Sequence, residues 1–246
     1  MKQTRLLMNM PITIEIVDML KDELIFDEIY EYFRMVEDRF SVFRKDSEIS
    51  RINSKKIKHP KYSREMKEIF DLAEKTKRES FGYFDIERNS RFDPSGIVKG
   101  WAIFQAAKKL HNKGIKNFYI EAGGDIQTYG VNNEGSRWQV GIRNPFNYSE
   151  IVKTVELSGE GIATSGNYYR GQHIYNPKNP TVPLTEISSI TVIGPNILEA
   201  DRFATAAFAM GKDGINFIES KRELEGYMID QRKVATFTNN FERYVK

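Results

Sequence analysis

The chain has 246 residues, of which 40% are hydrophobic and 29% are charged, and it contains no cysteine. This composition is typical of a globular protein, and it excludes disulfides, thiolate metal sites and a cysteine nucleophile. Lys and Arg outnumber Asp and Glu by 37 to 34, a formal charge of +3 without a basic block, so we expect no nucleic-acid partner.

The first half of the chain alternates strand and helix patterns. Residues 12–17 alternate β-branched and polar side chains, which predicts a half-buried strand. Helical spacing follows over about 21–40, and a loop is predicted at 44–62. Further helices are predicted over 63–78 and over 99–112, where apolar side chains recur at helical intervals.

The second half is richer in strands. An apolar run at 117–120 predicts a buried strand, and residues 138–192 form short β-type runs separated by Asn-Pro and Ser-Gly turns. Helices are predicted over 199–210 and 213–220, before a terminal β hairpin. Strands grouped apart from helices predict an α+β fold, and without a repeat or linker we expect a single domain over 1–246.

Asp201 and Thr205 form the first candidate site, because they stand four residues apart on one face of a predicted helix. Magnesium prefers oxygen ligands and usually takes few of them from protein. The flanking residues are mostly Ala and Phe, and a carboxylate in such a helix needs a partner. The alternative is an ordinary pair on a solvated helix face, which this spacing produces often.

The second candidate is the turn Ala-Gly-Gly-Asp at 122–125. Its uncovered amides could receive a pyrophosphate or an adenosine edge. The turn lacks the Gly-x-Gly-x-x-Gly spacing, so a Rossmann site is not supported. A plain β turn is the alternative interpretation.

The third candidate is the loop-rich stretch that begins with Ala-Thr-Ser-Gly at 163–166 and continues through Arg170 to His173. Hydroxyls, a guanidinium and an imidazole are gathered there, and functional residues often lie on loops. His173 is a candidate base because imidazole titrates near neutral pH. A purely structural histidine is the alternative.

The fourth candidate is Asp-Pro-Ser-Gly-Ile-Val-Lys-Gly at 93–100, a turn that leads into a helix. A helix N-terminus with Lys99 in its first turn suits phosphate binding. A simple helix start capped by Asp93 or Ser95 is the alternative explanation.

Taken in chain order, these motifs resemble the FAD:protein FMN transferase (ApbE) family, and the resemblance spans nearly the whole chain. Several blocks in the same order are far more specific than any single block. The matching blocks are Met-Asn-Met-Pro at 8–11, Phe-Ser-Val-Phe-Arg-Lys-Asp-Ser-Glu-Ile-Ser-Arg-Ile-Asn at 40–53, Gly-Tyr-Phe-Asp at 82–85, and the segments 93–101, 122–125, 138–145, 163–166, 173–177 and 200–206.

The resemblance implies a compact two-lobed α+β fold, with mixed or antiparallel sheets flanked by helices and an FAD cleft between the lobes. By position, Asp201 and Thr205 match side-chain ligands of Mg²⁺, and a backbone carbonyl of the turn at 95–98, with Ser95 as our candidate, completes the protein's share. His173 matches a histidine that activates the acceptor hydroxyl. The residues that match the lining of the FAD cleft are Ser95, Lys99, Gly123, Gly124, Asp125, Thr164 and Ser165.

The activity implied by the resemblance is Mg²⁺-dependent cleavage of the FAD pyrophosphate. FMN is attached by a phosphoester to a Ser or Thr hydroxyl of an acceptor flavoprotein, and AMP is released. Two alternatives stay open, namely a Mg²⁺-dependent FAD pyrophosphatase that gives free FMN and AMP, and a non-catalytic FAD-binding protein. With no signal-like N-terminus and no apolar stretch near the roughly 20 residues of a membrane helix, we expect a cytoplasmic protein without a membrane anchor.

The sequence also departs from the family pattern at three positions. Asn9 stands where a glycine is common, and Phe104 stands where an acidic residue is frequent, so we expect one polar contact to the nucleotide to be absent. Asn176 replaces the more usual Asp after the histidine, which bears on how that loop is held. Ser41 and Glu48 match a motif that we expect to shape the cleft.

Overall fold

The structure, a computed structural model, describes residues 1–20, 22–167 and 174–246. The strands are β1 (Lys2–Leu7), β2 (Met10–Ile16), β3 (Glu87–Arg88), β4 (Arg91–Phe92), β5 (Phe118–Ala122), β6 (Asp125–Tyr129), β7 (Trp138–Asn144), β8 (Asn147–Leu157), β9 (Gly161–Gly166), β10 (Ile187–Gly194), β11 (Glu225–Asp230) and β12 (Ala235–Phe237). The helices are α1 (Leu24–Phe40), α2 (Glu48–Asn53), α3 (Arg64–Glu79), α4 (Ser95–Asn112), α5 (Ile197–Ala209) and α6 (Gly214–Glu219).

Within these described ranges, eight strands form one antiparallel sheet in the order β1-β2-β5-β6-β9-β10-β11-β12. Its two halves meet at β6 and β9, which share a ladder of only two residue pairs, Ile126↔Ile162 and Gln127↔Gly161. Just beyond this ladder the Thr164 amide donates to Asp125 Oδ1 at 3.2 Å. The Asp125 side chain therefore accepts a hydrogen bond from β9 where the two halves of the sheet meet.

The strands β7 and β8 pair with each other and form a separate two-stranded arm between β6 and β9 in the chain. Val140, Ile142 and Val155 are among the arm residues that pack in a small core with side chains of β11 and the C-terminal segment, including Tyr227 and Phe241. The side chains of β7 alternate between buried and exposed positions, as expected for a strand with one packed face. One face of the arm therefore packs in this small core, and the opposite face is directed away from it.

The larger core lies between the helices and the main sheet, and it contains residues from Met10 to Met228. Helix α5 is central to it, because most of its residues are buried and many are alanines, which permit close packing. Glycines at 96 and 100 bring α4 near α5, since ideal Cβ atoms there would lie 3.3 Å from Thr205 Cγ2 and 2.6 Å from Asp201 Cβ. This shared core supports the single-domain expectation for 1–246, which stays a prediction.

The α+β class is confirmed, and the helices predicted from periodicity are present with small shifts of their ends. The predicted loop at 44–62 is wrong in part, because it contains α2, whose first turn is capped by the Ser47 side chain. Ile49 and Ile52 anchor α2 in the core, but six residues are too short for a periodic signal. None of the helices in the described part of the chain is long and apolar enough to cross a membrane.

Candidate functional site

A cleft of about 1170 Å³ opens between the main sheet, the first turn of α4 and the outer face of the β7–β8 arm. Every predicted site residue that the structure describes lines it. These residues are Ser95, Lys99, Gly123, Gly124, Asp125, Thr164, Ser165, Asp201 and Thr205. They come from α4, the β5–β6 turn, β6, β9 and α5, so only tertiary folding brings them together.

Asp201 is the buried carboxylate of the cleft, with 4% of its surface exposed. Its Oδ2 accepts the Gly100 amide at 2.7 Å, and its Oδ1 lies 3.9 Å from Lys99 Nζ. Burial raises the pKa of Asp201 to about 7, and the neighbouring Asp125 carboxyl adds to the rise while the Lys99 ammonium opposes it. The charged form is therefore unfavourable unless a further cation joins the site.

Lys99 and Asp125 form the second charged contact, with Lys99 Nζ 2.5 Å from Asp125 Oδ2. Asp125 is 1% exposed, and its other oxygen accepts the Thr164 amide. Because α4 begins at Ser95, Lys99 lies in its second turn, and the prediction that placed Lys99 in the first turn is wrong by a few residues. Two carboxyl groups, those of Asp125 and Asp201, thus lie beside one ammonium group, which can neutralise only one of them when both are ionised.

Thr205 lies one helical turn after Asp201, and its hydroxyl donates to the Gly96 carbonyl oxygen at 3.4 Å. The Ser165 hydroxyl is 3.5 Å from Thr205 Oγ1. A carboxylate, a hydroxyl and a main-chain carbonyl are all hard oxygen donors, so the donor set fits Mg²⁺. Among the described residues there is no group of three or more His, Cys, Asp or Glu side chains that could hold a metal ion.

Ser95 is the first residue of α4, and its amide donates to Asp93 Oδ1 at 3.0 Å. The N-cap position itself is Pro94, which makes no side-chain cap, so neither Asp93 nor Ser95 caps the helix as the alternative interpretation expected, and Asp93 instead fixes the turn before it. Within the turn, the carbonyl that contacts Thr205 is that of Gly96. Ser95 as a metal ligand stays a prediction. The sequence analysis did not single out Gly96 as the source of the carbonyl beside Thr205.

The Gly123-Gly124 pair forms the two-residue turn between β5 and β6, with φ angles of +60° and +94°. Glycine adopts this left-handed conformation without the Cβ penalty of other residues. The Gly123 amide donates to Pro11 O at 3.3 Å, and the Gly124 amide donates to Glu121 Oε1 at 3.0 Å. The turn lines the cleft, but its amides already have acceptors, and a role in binding FAD stays a prediction.

His173 and Arg170 lie outside the described residues. After them, Asn176 Oδ1 accepts the Lys178 amide at 2.9 Å, so this asparagine fixes its own turn. Asn9 has a φ of +58° in the turn between β1 and β2, where asparagine and glycine are favoured.

The other residues that the family resemblance singled out lie on helices or at their ends. Phe104 is half-buried on α4 and packs against the larger core. Ser41 caps the end of α1, and Glu48 accepts the Ser63 amide at 2.7 Å and pairs with Arg39. Glu48 thus links α2 to α1 and to the start of α3, whereas Ser41 only ends α1, and the influence of both residues on the cleft stays a prediction.

The arm contributes cleft residues that the sequence interpretation missed. The Arg143 guanidinium lies 4.8 Å from the centre of the Tyr148 ring, and Arg143 donates to the Tyr148 carbonyl at 3.1 Å. An ideal Cβ at Gly124 would lie 3.9 Å from Tyr148 Oη, so this ring approaches the glycine turn. The alternation of β7 was visible in the sequence, but nothing in it indicated that the outer face turns toward the glycines.

Comparisons with known proteins agree on one family. The chain is 33% identical over 147 residues to the FAD:protein FMN transferase of Haemophilus influenzae and 32% identical over 146 residues to that of Escherichia coli K12. Each match covers 56% of this chain and 42% of the relative, so the chain spans less than half the length of these curated relatives.

Solved structures share the fold. The flavin transferase ApbE from Vibrio cholerae superposes with a TM-score of 0.87 at 22% identity, over 99% of this chain and 98% of that one. The ApbE protein of Thermotoga maritima gives 0.86 at 19% identity, over 100% and 99%. The ApbE family model matches residues 8–90 and 87–228, which is most of the sequence. With the cleft residues on matched segments, the chain belongs to the ApbE family.

Proposed function

We propose that the chain is an FAD:protein FMN transferase that uses Mg²⁺, acts on FAD and modifies a Ser or Thr hydroxyl of an acceptor flavoprotein. The observation that carries this proposal is the meeting of Asp201, Thr205 and the Gly96 carbonyl beside Lys99 in one large cleft. Oxygen donors next to an ammonium group suit a metal-bound diphosphate. The names of the curated relatives and of the Vibrio cholerae structure support the same activity.

The residues that would hold Mg²⁺ are Asp201, Thr205 and Gly96, the last through its carbonyl oxygen. When bound, magnesium would supply positive charge to the pyrophosphate and to the departing AMP. The raised pKa of Asp201 fits this role, because a buried carboxylate that lacks enough positive charge gains most from a cation.

Lys99 supplies the chain's own positive charge at this end of the cleft. Asp125 Oδ2 lies 2.5 Å from the ammonium nitrogen, and Asp201 Oδ1 lies 3.9 Å from it. Phosphoryl transfer depends chiefly on alignment and charge neutralisation. We infer that Lys99 contacts the phosphate oxygens while Asp125, fixed by the Thr164 amide, keeps its side chain extended into the cleft.

The proposed reaction is a single displacement at phosphorus. The acceptor oxygen attacks the phosphorus on the FMN side, a new P–O bond forms, and the P–O bond to the bridging oxygen breaks. AMP leaves with that oxygen, and the acceptor hydroxyl loses its proton to a base. His173, predicted from the sequence, is our candidate for this base. An acceptor flavoprotein with a Ser or Thr attachment site and a cytoplasmic location are parts of the same proposal.

The test is to incubate the purified chain with FAD, MgCl₂ and a cell extract, and to look for flavin fluorescence on protein bands of a denaturing gel. A parallel reaction without extract measures AMP and free FMN by chromatography. Protein-bound FMN with matching AMP supports the transferase. Free FMN and AMP alone would identify a pyrophosphatase, and FAD that binds without turnover would identify a carrier.

A second measurement addresses His173. In His173→Ala we expect transfer to fall by about 10²-fold or more, as is usual when a general base is removed. FAD binding, followed by fluorescence quenching, should persist because the metal ligands are untouched. An unchanged transfer rate would pass the role of base to another group.

A further inference from the structure

Residues 51–67, which we call the basic segment, concentrate positive charge in one stretch of the chain. Seven of these 17 residues are Lys or Arg, and a single one, Glu65, is acidic. This excess exceeds the +3 of the whole chain, so the remaining residues are net negative. The expectation that the chain has no basic block is therefore wrong for this segment. Its exposed basic residues are Arg51, Lys55, Lys56, Lys58, Lys61 and Arg64.

The positive charges of the basic segment have no counter-charge in the described part of the chain. None of its Lys or Arg side chains lies within ion-pair distance of a carboxylate there. The carboxylates of Glu48, before the segment, and Glu65, within it, both pair with Arg39 of α1 instead. Uncompensated like charges repel one another and lower the stability of the folded state.

The backbone of the basic segment is nevertheless held in a defined path. The Lys56 amide donates to the Arg51 carbonyl at 2.8 Å where α2 ends, and the Lys61 amide donates to the Lys58 carbonyl at 2.9 Å. Arg64 is the first residue of α3, where the helix dipole disfavours positive charge. Folding therefore holds these cations together against their own repulsion, and an anionic partner would relieve that repulsion.

Two contacts place the basic segment beside the wall of the cleft. Asn53 Nδ2 donates to the Phe92 carbonyl at 2.9 Å, and the Phe92 amide donates to Asn53 Oδ1 at 2.7 Å. The Tyr62 ring centre lies 5.5 Å from that of Phe70, which lies 4.9 Å from that of Phe92. Phe92 ends β4, and the chain continues directly into the turn at 93–96 that lines the cleft.

The β3–β4 hairpin extends the positive charge from the basic segment to the cleft. Arg88 and Arg91 stand directly opposite each other in this hairpin, and both are exposed. Arg88 also lines the cleft. Glu87 is the one carboxylate of the two strands. Like charges directly opposite each other are destabilising in an antiparallel pair, so the hairpin also holds cations together at a cost in stability.

We propose that the basic segment, with Arg88 and Arg91, is the docking surface for the acceptor protein and fits an acidic face beside the acceptor's attachment hydroxyl. The inference rests on the proposed transferase function and adds the chemistry of the partner. A protein is favoured over a nucleic acid or a lipid surface because this surface continues into the cleft, where the acceptor hydroxyl must meet FAD. Complementary charge raises the rate of encounter by about 10- to 10³-fold, and the gain falls steeply with ionic strength.

The experiment reverses three charges of the basic segment in Lys56→Glu/Lys58→Glu/Lys61→Glu, the test variant. Lys55 is left unchanged, because its φ of +61° is a conformation that most residues adopt rarely. Each protein is incubated with FAD, MgCl₂ and cell extract, and the initial rate of flavin labelling of protein is read from a denaturing gel. FAD affinity, measured by fluorescence quenching, reports whether the cleft is intact.

The control variant is Lys212→Glu/Arg222→Glu/Arg232→Glu. It makes the same change in net charge at three exposed residues between α5 and β12. None of the three lines the cleft. A general effect of net charge on the reaction would therefore appear equally in both variants.

At an ionic strength of about 10 mM, we expect the labelling rate of the test variant to fall by ~10-fold or more, since attraction over a Debye length of ~30 Å becomes repulsion. At about 150 mM, where the Debye length is ~8 Å, the wild-type rate should fall toward that of the test variant. The control variant should keep the wild-type rate, and FAD affinity should be the same in all three proteins. Isoelectric focusing should show that the labelled protein is acidic.

A wild-type labelling rate in the test variant, an equal fall in the control variant, or a labelled protein that is basic would overturn the docking surface and leave the transferase proposal intact. The same rates are measured in extract treated with nuclease and dispersed in a neutral detergent, which removes nucleic acid and lipid surfaces but keeps the proteins. A difference between wild type and test variant that disappears there would assign the basic segment to one of those partners and overturn the proposal. Wild-type protein that releases AMP but labels no protein would overturn the transferase proposal, and the docking surface with it.

A second variant keeps the test decisive if circular dichroism shows that the test variant is unfolded. Lys56→Gln/Lys58→Gln/Lys61→Gln removes the charges without reversing them, and it should melt at or above the wild-type temperature because repulsion is relieved. Its labelling rate at low ionic strength should still fall, by about 3-fold or more. A wild-type rate in this variant would equally overturn the docking surface.

Discussion

The amide of Gly100 donates to Asp201 Oδ2 at 2.7 Å, and this contact joins α4 to α5 where the charged groups of the cleft meet. An ideal Cβ at Gly100 would lie 2.6 Å from Asp201 Cβ, 2.8 Å from Asp201 Oδ2 and 2.9 Å from the Ile197 carbonyl oxygen. Those distances are too short for a side chain. Glycine at 100 therefore permits both the helix packing and the orientation of the proposed metal ligand.

Gly100→Ala should disturb packing and function together. We expect a loss of about 1–3 kcal/mol in the free energy of unfolding, the usual cost of overpacking, and a fall of about 10²-fold in Mg²⁺-dependent AMP release because Asp201 is displaced. Urea titration and chromatography measure the two effects. Gly159→Ala is the control, since a Cβ there meets nothing within 4 Å. Full activity in Gly100→Ala would contradict this account.

Asp201→Asn should separate stability from activity. The raised pKa of Asp201 means that the folded protein holds this proton more tightly than the unfolded chain. The carboxylate therefore lowers stability as pH rises from its ordinary value of 3.8 toward about 7, and the amide should not. Without metal, we expect the variant to melt at or above the wild-type temperature at neutral pH.

In the same variant, Mg²⁺ should no longer stabilise the fold. A ligand at 100 times its dissociation constant stabilises the wild type by about 2.7 kcal/mol, and that increment should disappear with AMP release. Asp71→Asn, on the exposed side of α3, is the control for a generic loss of one carboxylate. Retention of the Mg²⁺ increment in Asp201→Asn would remove Asp201 from the metal site.

Lys99→Met should leave Asp125 buried without its ammonium partner. We expect the free energy of unfolding to fall by about 3 kcal/mol, because removing one member of a buried pair leaves an uncompensated charge. The double variant Lys99→Met/Asp125→Asn should recover most of that stability and still bind FAD weakly. Chemical denaturation and FAD titration test both parts. Independent, additive losses in the double variant would show that the pair is not coupled.

A further prediction concerns Arg202, which lies away from the cleft, and the pH dependence of the stability that its ion pairs contribute. Its buried guanidinium contacts Glu79 and lies 2.5 Å from Glu199. Burial acts to raise the pKa of Glu79, but Arg202, together with Lys75 and Lys221, outweighs it and the net pKa is lowered. The stabilisation is then present above the ordinary pKa of 4.5 and is lost as pH falls below it.

Glu79→Gln should therefore cost stability at neutral pH and little in acid. Glu79 is about one-third exposed, and Glu199 keeps its contact with Arg202 in this variant. We therefore expect the free energy of unfolding at neutral pH to fall by about 1–2 kcal/mol, less than for a fully buried pair. Urea titrations at pH 7 and below pH 4 measure the difference. Glu74→Gln, which removes the exposed pair with Arg78, is the control and should change stability by under about 0.5 kcal/mol. A pH-independent difference would contradict the ionic origin.

Local sequence signals account for most of the elements. The helical periods over 63–78 and 99–112 and the apolar run at 117–120 correspond to α3, α4 and β5 because hydrophobic spacing follows the geometry of each element. The helix α2 escaped prediction, since its stability comes from burial of Ile49 and Ile52 rather than from length.

The ordered motifs also determined which residue types belong to the cleft, from Lys99 to Thr205, and they indicated the family. What they could not determine was the contact pattern. The 2.5 Å pairing of Lys99 with Asp125, the occupied amides of Gly123 and Gly124, and the choice of the Gly96 carbonyl beside Thr205 depend on strands and helices distant in sequence. The tertiary structure decided these contacts, because buried charges and unpaired main-chain groups must find partners wherever packing places them.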